Sequence, residues 1–287
     1  MILITGATGR TGSEAARQLA AKGHKVRALV RNPDKAAALQ AAGVELFQGD
    51  AGDASAVRAA CAGVDRIAII LPNGEKQLAN ELNLANVAAE SGVRHILKVS
   101  SMEAHAHSKI SVHRAHWDSE QNVRAKARAW TIVRPSFYMQ NFLGNAQSIR
   151  TSGTFGYPFG ENGAALMTDS RDVGAFIAHV FTTPGHDNKS YDISSPDLLT
   201  FKQVADIFTR ELGRPVQYVP QDPVAYKAFL GKFITSQWHL DAVADIFAEI
   251  AAGYTVQPTT TFKDVTGRDP MTMVGFIREH LALFKAA

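Results

Sequence analysis

Short apolar runs alternate with longer helix-forming segments along the first half of the chain. The apolar runs contain β-branched residues and few polar ones, which is typical of strands buried on both faces of a sheet. The segments between them are rich in Ala, Leu, Glu and Gln, which favour helices. The strands predicted in this way are residues 1–4, 24–31, 44–50, 64–72, 95–101 and 130–135.

Strands and helices alternate up to residue 135. Such alternation predicts right-handed crossovers and the α/β fold class, with a doubly wound parallel Rossmann sheet. In this architecture, ligands bind outside the carboxyl ends of the strands. The loops at that edge follow residues 5, 31, 50, 72 and 101, and the segment after Pro135 joins them.

The second half of the chain is less regular. A stretch rich in glycine and aromatic residues covers 150–164, helices are predicted at 172–181, 201–212, 223–252 and 271–284, and a short strand at 191–194. We therefore predict a Rossmann domain over residues 1–150 and a smaller C-terminal lobe over 151–287. This lobe is expected to bind substrate and act as a lid, with part of residues 165–195 returning to the Rossmann body.

Three glycines, Gly6, Gly9 and Gly12, separate the first predicted strand from the first helix. Gly6 permits a sharp turn, Gly9 lets a pyrophosphate approach the backbone, and Gly12 lets the helix pack closely on the sheet. The N–H groups that begin the helix then face the phosphates. The spacing differs from the common Gly-x-Gly-x-x-Gly, and a turn without a ligand is the alternative. The residues predicted to bind NAD(P) here are Gly6, Thr8, Gly9, Arg10, Thr11 and Gly12.

An arginine stands where the two nicotinamide cofactors are distinguished. An acidic residue at the end of the second strand binds the ribose of NAD, whereas an arginine accommodates the 2′-phosphate of NADP. Arg31 occupies this position, and Arg10 offers a second guanidinium. We predict NADP(H) rather than NAD(H), with ordinary surface arginines as the alternative. Asp50, Leu71 and Pro72 are further predicted contacts, and a turn aspartate is the alternative for Asp50.

The composition excludes several classes of function. The net charge of the 287 residues is only +3, and the basic residues are scattered, which argues against a nucleic-acid partner. The single cysteine, Cys61, allows neither a disulfide within the chain nor a cysteine metal cluster. No apolar run reaches the ~18 residues of a membrane span, and the first strand begins too early for a signal peptide. We therefore expect a cytoplasmic protein without membrane association.

The motifs together resemble the NmrA-like branch of the short-chain dehydrogenase/reductase superfamily. They are residues 5–12 (Thr-Gly-Ala-Thr-Gly-Arg-Thr-Gly), 30–32 (Val-Arg-Asn), 49–53 (Gly-Asp-Ala-Gly-Asp), 134–141 (Arg-Pro-Ser-Phe-Tyr-Met-Gln-Asn) and 168–173 (Thr-Asp-Ser-Arg-Asp-Val). The likeness is strongest to bacterial quinone oxidoreductases and triphenylmethane reductases. The resemblance implies that Ser100 and Pro135 also lie beside the cofactor.

The chain departs from the superfamily in its catalytic helix. Most members carry Tyr-x-x-x-Lys there, where the tyrosine protonates a carbonyl and the lysine lowers the pKa of that tyrosine. Alignment on Glu120 puts Val112 and His116 at these positions, and residues 99–125 contain no tyrosine. The resemblance implies one of two roles, since some NmrA-like members reduce quinones or cationic dyes with little acid–base help and others sense the cofactor.

His113, His116 and Glu120 share one face of the predicted helix 111–128, because they lie at i, i+3 and i+7. We predict that His113 or His116 supplies a proton to a reduced quinone, with His116 also contacting the ribose. The alternative is that Glu120 simply pairs with His116 and steadies the helix. We expect no metal, because a zinc site needs several ligands to converge.

Aromatic residues follow the sixth predicted strand, at the carboxyl edge of the sheet. Phe137, Tyr138 and Asn141 are predicted to form one wall of a substrate pocket, with Tyr157 and Phe159 as a lid. Flat apolar walls suit a flat aromatic acceptor, but a plain hydrophobic core is an equal alternative. Tyr138 is a further candidate proton donor.

The sequence favours an NADPH-dependent reductase that passes hydride to a quinone-like or dye-like acceptor, with the nicotinamide doing the chemistry. The alternative is a catalytically idle protein that senses NADP(H) and acts through a protein partner. A relative of sugar-nucleotide or isoflavone reductases ranks third, because the helix lacks the expected tyrosine or lysine. We also expect a homodimer.

Overall fold

The computed structural model describes residues 1–254 and 256–285. They form two compact units. The first comprises Met1–Pro135 and Ser170–Asp192, and the second comprises Ser136–Asp169 and the chain from Ile193 onward. The chain thus enters the second unit directly after the sixth predicted strand and returns once to the first. The role of the second unit as a substrate lobe stays a prediction.

The elements up to Pro135 follow the predicted alternation. The strands are β1 (Ile2–Ile4), β2 (Val26–Val30), β3 (Glu45–Gln48), β4 (Arg66–Ile69), β5 (His95–Val99) and β6 (Ala129–Pro135). The helices are α1 (Arg10–Ala21), α2 (Ala37–Ala41), α3 (Ala54–Ala60), α4 (Gln77–Glu90) and α5 (Ser111–Lys126), and a 3-10 turn (Pro33–Ala36) precedes α2. Asp53 is the N-cap residue of α3. Its carboxylate accepts a hydrogen bond from the backbone N–H of Ser55 at 2.8 Å.

Beyond Pro135 the elements are shorter. The strands are β7 (Phe137–Tyr138), β8 (Thr154–Phe155), β9 (Ala164–Thr168), β10 (Lys189–Ile193), β11 (Leu198–Thr200) and β12 (Gln217–Tyr218). The helices are α6 (Ala146–Ser152), α7 (Ser170–Thr182), α8 (Phe201–Leu212), α9 (Pro223–Leu230), α10 (Gln237–Ala251), α11 (Thr261–Thr266), α12 (Met273–Glu279) and α13 (Leu281–Phe284), and a 3-10 turn (Met139–Asn145) precedes α6.

The first unit is built on a seven-stranded sheet in the order β3-β2-β1-β4-β5-β6-β10. Strands β1 to β6 pair in parallel, and Ile4 lies opposite Ala28 of β2 and Ala68 of β4. The predicted doubly wound Rossmann sheet is therefore confirmed. The strand order reverses between β1 and β4, which is where open α/β sheets bind ligands.

Aromatic side chains form the core of the second unit. Phe142, Phe155, Phe201 and Phe208 are buried and pack together, with the rings of Phe142 and Phe155 5.5 Å apart. Phe284 of α13 covers Phe208 from the C-terminal end of the chain, at 5.0 Å. Two small sheets, in the orders β11-β9-β7 and β12-β8, complete this unit.

Two long predicted helices are interrupted. The predicted helix over 223–252 is two helices, because α9 ends at Leu230 and the hydroxyl of Ser236 caps a new helix, α10. The predicted helix over 271–284 breaks at His280, between α12 and α13. Within the described residues, we find no helix with the length and apolar character needed to cross a membrane.

Candidate functional site

The turn after β1 is shaped by contact with the end of β4. Gly6 has φ of +60°, and a Cβ there would lie 2.1 Å from the carbonyl oxygen of Ile70. The hydroxyl of Thr5 accepts from the backbone N of Ile70 at 2.9 Å and donates to the carbonyl of Ala68 at 3.2 Å. Only glycine fits at position 6, since both the space and the left-handed backbone exclude a side chain.

The start of α1 is open to solvent. A Cβ on Gly12 would lie 2.4 Å from the carbonyl oxygen of Gly6, so the helix packs directly on the turn. Thr8, Gly9 and Arg10 are exposed, and Gly9 at the N-cap has no side chain with which to cap the helix. The first turn of α1 contains no acidic residue. The helix therefore presents its N–H groups and positive end to an anion, and a dinucleotide pyrophosphate fits this chemistry.

The predicted cofactor contacts after the next strands are also at the surface. Arg31 is exposed directly after β2, and Pro72 is exposed after β4, with Leu71 half-buried beside it. Asp50 follows β3, and its carboxylate accepts from the backbone N of Gly52 at 2.8 Å. Asp50 therefore has the role of a turn aspartate, which is the alternative to a cofactor contact.

Ser100, directly after β5, donates a hydrogen bond from its hydroxyl to the carboxylate of Glu120. The distance between Ser100 Oγ and Glu120 Oε1 is 2.6 Å, and both residues are buried. Glu120 also accepts two hydrogen bonds from the guanidinium of Arg134, at 2.8 and 2.5 Å, and one from Arg124 at 3.3 Å. Because its proton is held by a carboxylate, the hydroxyl of Ser100 offers a ligand only its lone pairs.

The alternative that Glu120 pairs with His116 and steadies the helix is wrong, because the two side chains do not pair. The Nδ1 of His116 lies 3.0 Å from the Nζ of Lys98, and the amide nitrogen of Gln77 is 3.3 Å from both ring nitrogens. Although His116 and Glu120 are one turn apart on α5, each has a closer polar partner on another element. Charge-assisted contacts of this kind outweigh an i, i+4 pair.

Sequence reasoning missed Lys98 and Glu81. The Nζ of Lys98 on β5 lies 3.0 Å from Oε2 of Glu81 on α4, and both side chains are fully buried. The signal was present in the sequence, because Lys98 interrupts the otherwise apolar run Ile96-Leu97-Lys98-Val99. A charge within a strand that is buried on both faces requires a partner from a neighbouring element.

The two predicted histidine acids are neutral at physiological pH. Burial lowers the pKa of His113 to about 4. Burial, and then the charge of Lys98, hold the pKa of His116 well below its usual value. Neither side chain carries the extra proton that a general acid donates near pH 7. In the described part of the chain, no three His, Cys, Asp or Glu residues are grouped so as to hold a metal ion.

Lowering the pH from about 7 to about 5 will destabilise the protein. Burial lowers the pKa of His95 and His113 to about 4, whereas an unfolded histidine titrates at about 6.5. Between these values the unfolded chain binds more protons, so each histidine removes up to about 1.4 kcal/mol of stability per pH unit.

Urea unfolding midpoints followed by circular dichroism across this range measure the effect. His95→Gln should flatten the pH dependence, whereas His24→Gln, at an exposed position, should leave it unchanged. A midpoint that does not move between the two pH values would contradict the burial of these histidines.

The predicted lid residues lie in the core of the second unit. Tyr157 and Phe159 are 4% and 0% exposed, and their rings stack at 5.0 Å. Phe137 packs edge-on against both, at 6.1 and 6.2 Å. Their burial favours the alternative that Tyr157 and Phe159 belong to the hydrophobic core and do not form a lid. Tyr138 is half-buried on β7, opposite Thr168 of β9, and Asn141 is exposed.

Residues 1–276 match the model of the NmrA-like family. The chain belongs to the NmrA-like family. This confirms the resemblance derived from the sequence motifs.

Similarity to individual proteins extends over 97% or more of the chain. It is 34% identical over 287 residues to the NAD(P)H azoreductase of Xenophilus azovorans, covering 100% of both chains. Among solved structures, it matches an NADPH-dependent quinone oxidoreductase of Escherichia coli complexed with NADPH (TM-score 0.87, 27% identity, covering 98% of this chain and 100% of that one). It also matches the Citrobacter sp. triphenylmethane reductase complexed with NADP(H) (TM-score 0.84, 25% identity, covering 97% and 99%).

Proposed function

We propose that this NmrA-like protein is an NADPH-dependent reductase that transfers hydride to a quinone or aromatic dye. The observation that carries the proposal is the uncapped start of α1, where exposed Gly9 follows a turn that only glycine can make. The full-length relatives that it resembles are an azoreductase, a quinone oxidoreductase and a triphenylmethane reductase. Two of these structures contain NADPH or NADP(H), in agreement with the cofactor predicted from Arg31.

NADPH supplies the hydride when it is bound. The N–H groups of α1 hold the pyrophosphate, and the guanidinium of Arg31, with that of Arg10, attracts the 2′-phosphate. Both arginines are exposed and stand at the edge where the strands end. Their positive charge favours the phosphorylated ribose of NADPH. The hydride transfer itself is the chemistry of the nicotinamide.

The side chains at this edge of the sheet suit acceptors that need little acid catalysis. His113 and His116 are neutral near pH 7, and the hydroxyl of Ser100 donates its hydrogen bond to Glu120. A cationic dye takes up hydride without any proton, and a quinone gives a hydroquinone anion that water can protonate. Tyr138 stays a predicted proton donor, within a predicted pocket of Phe137, Tyr138 and Asn141.

Stopped-flow absorbance of NADPH mixed with a panel of quinones, azo dyes and triphenylmethane dyes tests the proposal. We expect NADPH oxidation above the enzyme-free blank for at least one acceptor. NADPH binding without oxidation by any acceptor would contradict the reductase and favour the cofactor-sensing alternative.

Replacing Arg31 by alanine will weaken NADPH binding roughly 10- to 100-fold and leave NADH binding unchanged. The loss corresponds to one charge-assisted contact of about 1.5–3 kcal/mol. Arg128→Ala is the matched control, because Arg128 is also exposed but precedes β6, at the opposite edge of the sheet. Fluorescence titration with both cofactors measures the change, and equal losses for NADPH and NADH would contradict the role of Arg31.

We also propose that the protein is cytoplasmic and that it forms a homodimer. The cytoplasmic location agrees with Cys61, because burial raises the pKa of this thiol to about 11 and makes it an inert part of the core, which suits a reducing compartment. Sedimentation equilibrium of the purified protein tests the oligomeric state.

A further inference from the structure

Three asparagines recur at every third position of α4, namely Asn80, Asn83 and Asn86. Asparagine is a weak helix former, because its carboxamide competes for the hydrogen bonds of the backbone. Asn80 and Asn83 lie side by side on one face of the helix, and Asn86 lies further round. Three such residues inside one helix indicate contacts with other elements rather than a contribution to the helix itself.

Asn83 binds the turn that follows β3, which we call the β3–α3 turn (residues 49–53). Its Nδ2 donates to the backbone carbonyl of Ala51 at 2.8 Å. The orientation of this carboxamide is determined, because only its nitrogen can donate to a carbonyl oxygen. Asn80 lies against the next residue of the turn, since a Cβ on Gly52 would be 2.9 Å from Oδ1 of Asn80. The first two turns of α4 therefore contact two successive residues of the β3–α3 turn.

Contacts with two other elements determine where the β3–α3 turn lies. Within the turn, the backbone N–H of Gly52 donates to the carboxylate of Asp50 at 2.8 Å, which sets its shape. Its start is tied to β2, because the N–H of Gly49 donates to the carbonyl of Val30 at 3.0 Å. Its middle is tied to α4 by Asn83. Among the described residues, this is the one side-chain hydrogen bond between the turn and α4.

The β3–α3 turn lies beside the proposed position of the adenosine half of NADPH. That position has the pyrophosphate at the start of α1 and the 2′-phosphate at Arg31, directly after β2. The next strand along the sheet is β3, and Gln48 at its end lies opposite Val30 of β2. Asp50 and Gly52 of the turn are exposed at this edge. An adenosine whose ribose is held at Arg31 therefore has the turn as its neighbour.

We propose that Asn83 is a positioning residue, which holds the β3–α3 turn where it bounds the adenosine half of bound NADPH. The inference rests on the proposed function, since it requires NADPH to bind at this edge of the sheet. Asn83 acts through the backbone of Ala51, which is half-buried. Without the donor on Asn83, the carbonyl of Ala51 must turn toward water to find a partner, and the turn moves with it.

Titration with adenosine 2′,5′-bisphosphate, which represents the adenosine half of NADPH, tests the proposal. Asn83→Ala should weaken the binding of NADPH and of the bisphosphate by the same factor, about three- to ten-fold, as expected for one lost neutral hydrogen bond. Asn83→Asp keeps the size of the side chain but directs an acceptor at the carbonyl oxygen, so it should lose at least as much. With an acceptor that is reduced, the KM for NADPH should rise by this factor while kcat stays unchanged.

Asn86→Ala is the matched control. Asn86 is also a half-buried asparagine of α4, but its Oδ1 accepts from Nδ2 of Asn122 on α5, at 3.2 Å. This variant should lose a similar amount of stability in urea unfolding and bind the bisphosphate as tightly as the wild type. Equal losses of affinity in Asn83→Ala and Asn86→Ala would mean a merely structural role and would overturn the proposal. Wild-type affinity in Asn83→Asp would overturn it as well.

These outcomes separate the inference from the proposed function. Circular dichroism of each variant establishes that it is folded before titration. NADPH binding without reduction of any acceptor would contradict the reductase, and the role of Asn83 would still stand on the bisphosphate titrations. No binding of NADPH or of the bisphosphate by the wild-type protein would overturn both. Reductase activity together with wild-type bisphosphate affinity in Asn83→Ala would overturn the inference alone.

Discussion

Replacing Gly6 by alanine will destabilise the protein by about 3–5 kcal/mol and abolish NADPH binding. Two effects add at this position. The backbone is left-handed, with φ of +60°, which costs an alanine about 1–2 kcal/mol. The new Cβ would also lie 2.1 Å from the carbonyl oxygen of Ile70, so β1 and β4 would have to move apart.

Gly23 provides a matched control for this substitution. It has φ of +82°, also in the left-handed region, but a Cβ there meets nothing within 4 Å. Gly23→Ala should therefore lose only about 1–2 kcal/mol and bind NADPH normally. Urea unfolding and NADPH titration of both variants measure the difference. Equal losses in the two variants would show that contact with Ile70 does not constrain the turn.

Replacing Glu120 by alanine will cost about 3–5 kcal/mol of stability. The carboxylate is fully buried and accepts from Ser100, Arg124 and Arg134. Without it, the guanidinium of Arg134 stays half-buried, and among the described residues its remaining acidic partner is the more distant carboxylate of Asp192, at 3.8 Å. A charge that is largely withdrawn from water and loses its partner regains only part of its hydration.

Glu90 is the control for this prediction. It forms an ion pair with Arg58 at 2.6 Å, but both side chains are more than half exposed. Glu90→Ala should change the unfolding free energy by no more than about 1 kcal/mol. Chemical unfolding of the two variants at one pH compares them. A loss for Glu120→Ala as small as that for Glu90→Ala would contradict the buried network.

The fold of the first unit was predictable because its pattern is local. Each strand is a short apolar run, each helix has its own composition, and the crossover rule determines how they assemble. The glycine turn was predictable for the same reason, since Gly6, Gly9 and Gly12 are neighbours in sequence and act as one contiguous segment.

The polar network could not be predicted in the same way. Lys98, Glu81 and His116 come from three separate elements, and only the folded packing of β5, α4 and α5 brings them together. The i, i+4 spacing suggested a His116–Glu120 pair, but longer-range partners displaced it. Similarly, the residue type of Tyr157 did not reveal whether it lines a pocket or fills a core, because an aromatic ring suits both environments.

The contact between Gly6 and Ile70 also bears on how the family can diverge. The partner of Gly6 is a backbone carbonyl, and the hydroxyl of Thr5 likewise binds the backbone of residue 70, 65 positions further along the chain. Every amino acid except proline carries both this N–H group and this carbonyl. An alignment of NmrA-like sequences should therefore hold glycine at positions 6 and 12 while position 70 drifts among apolar residues.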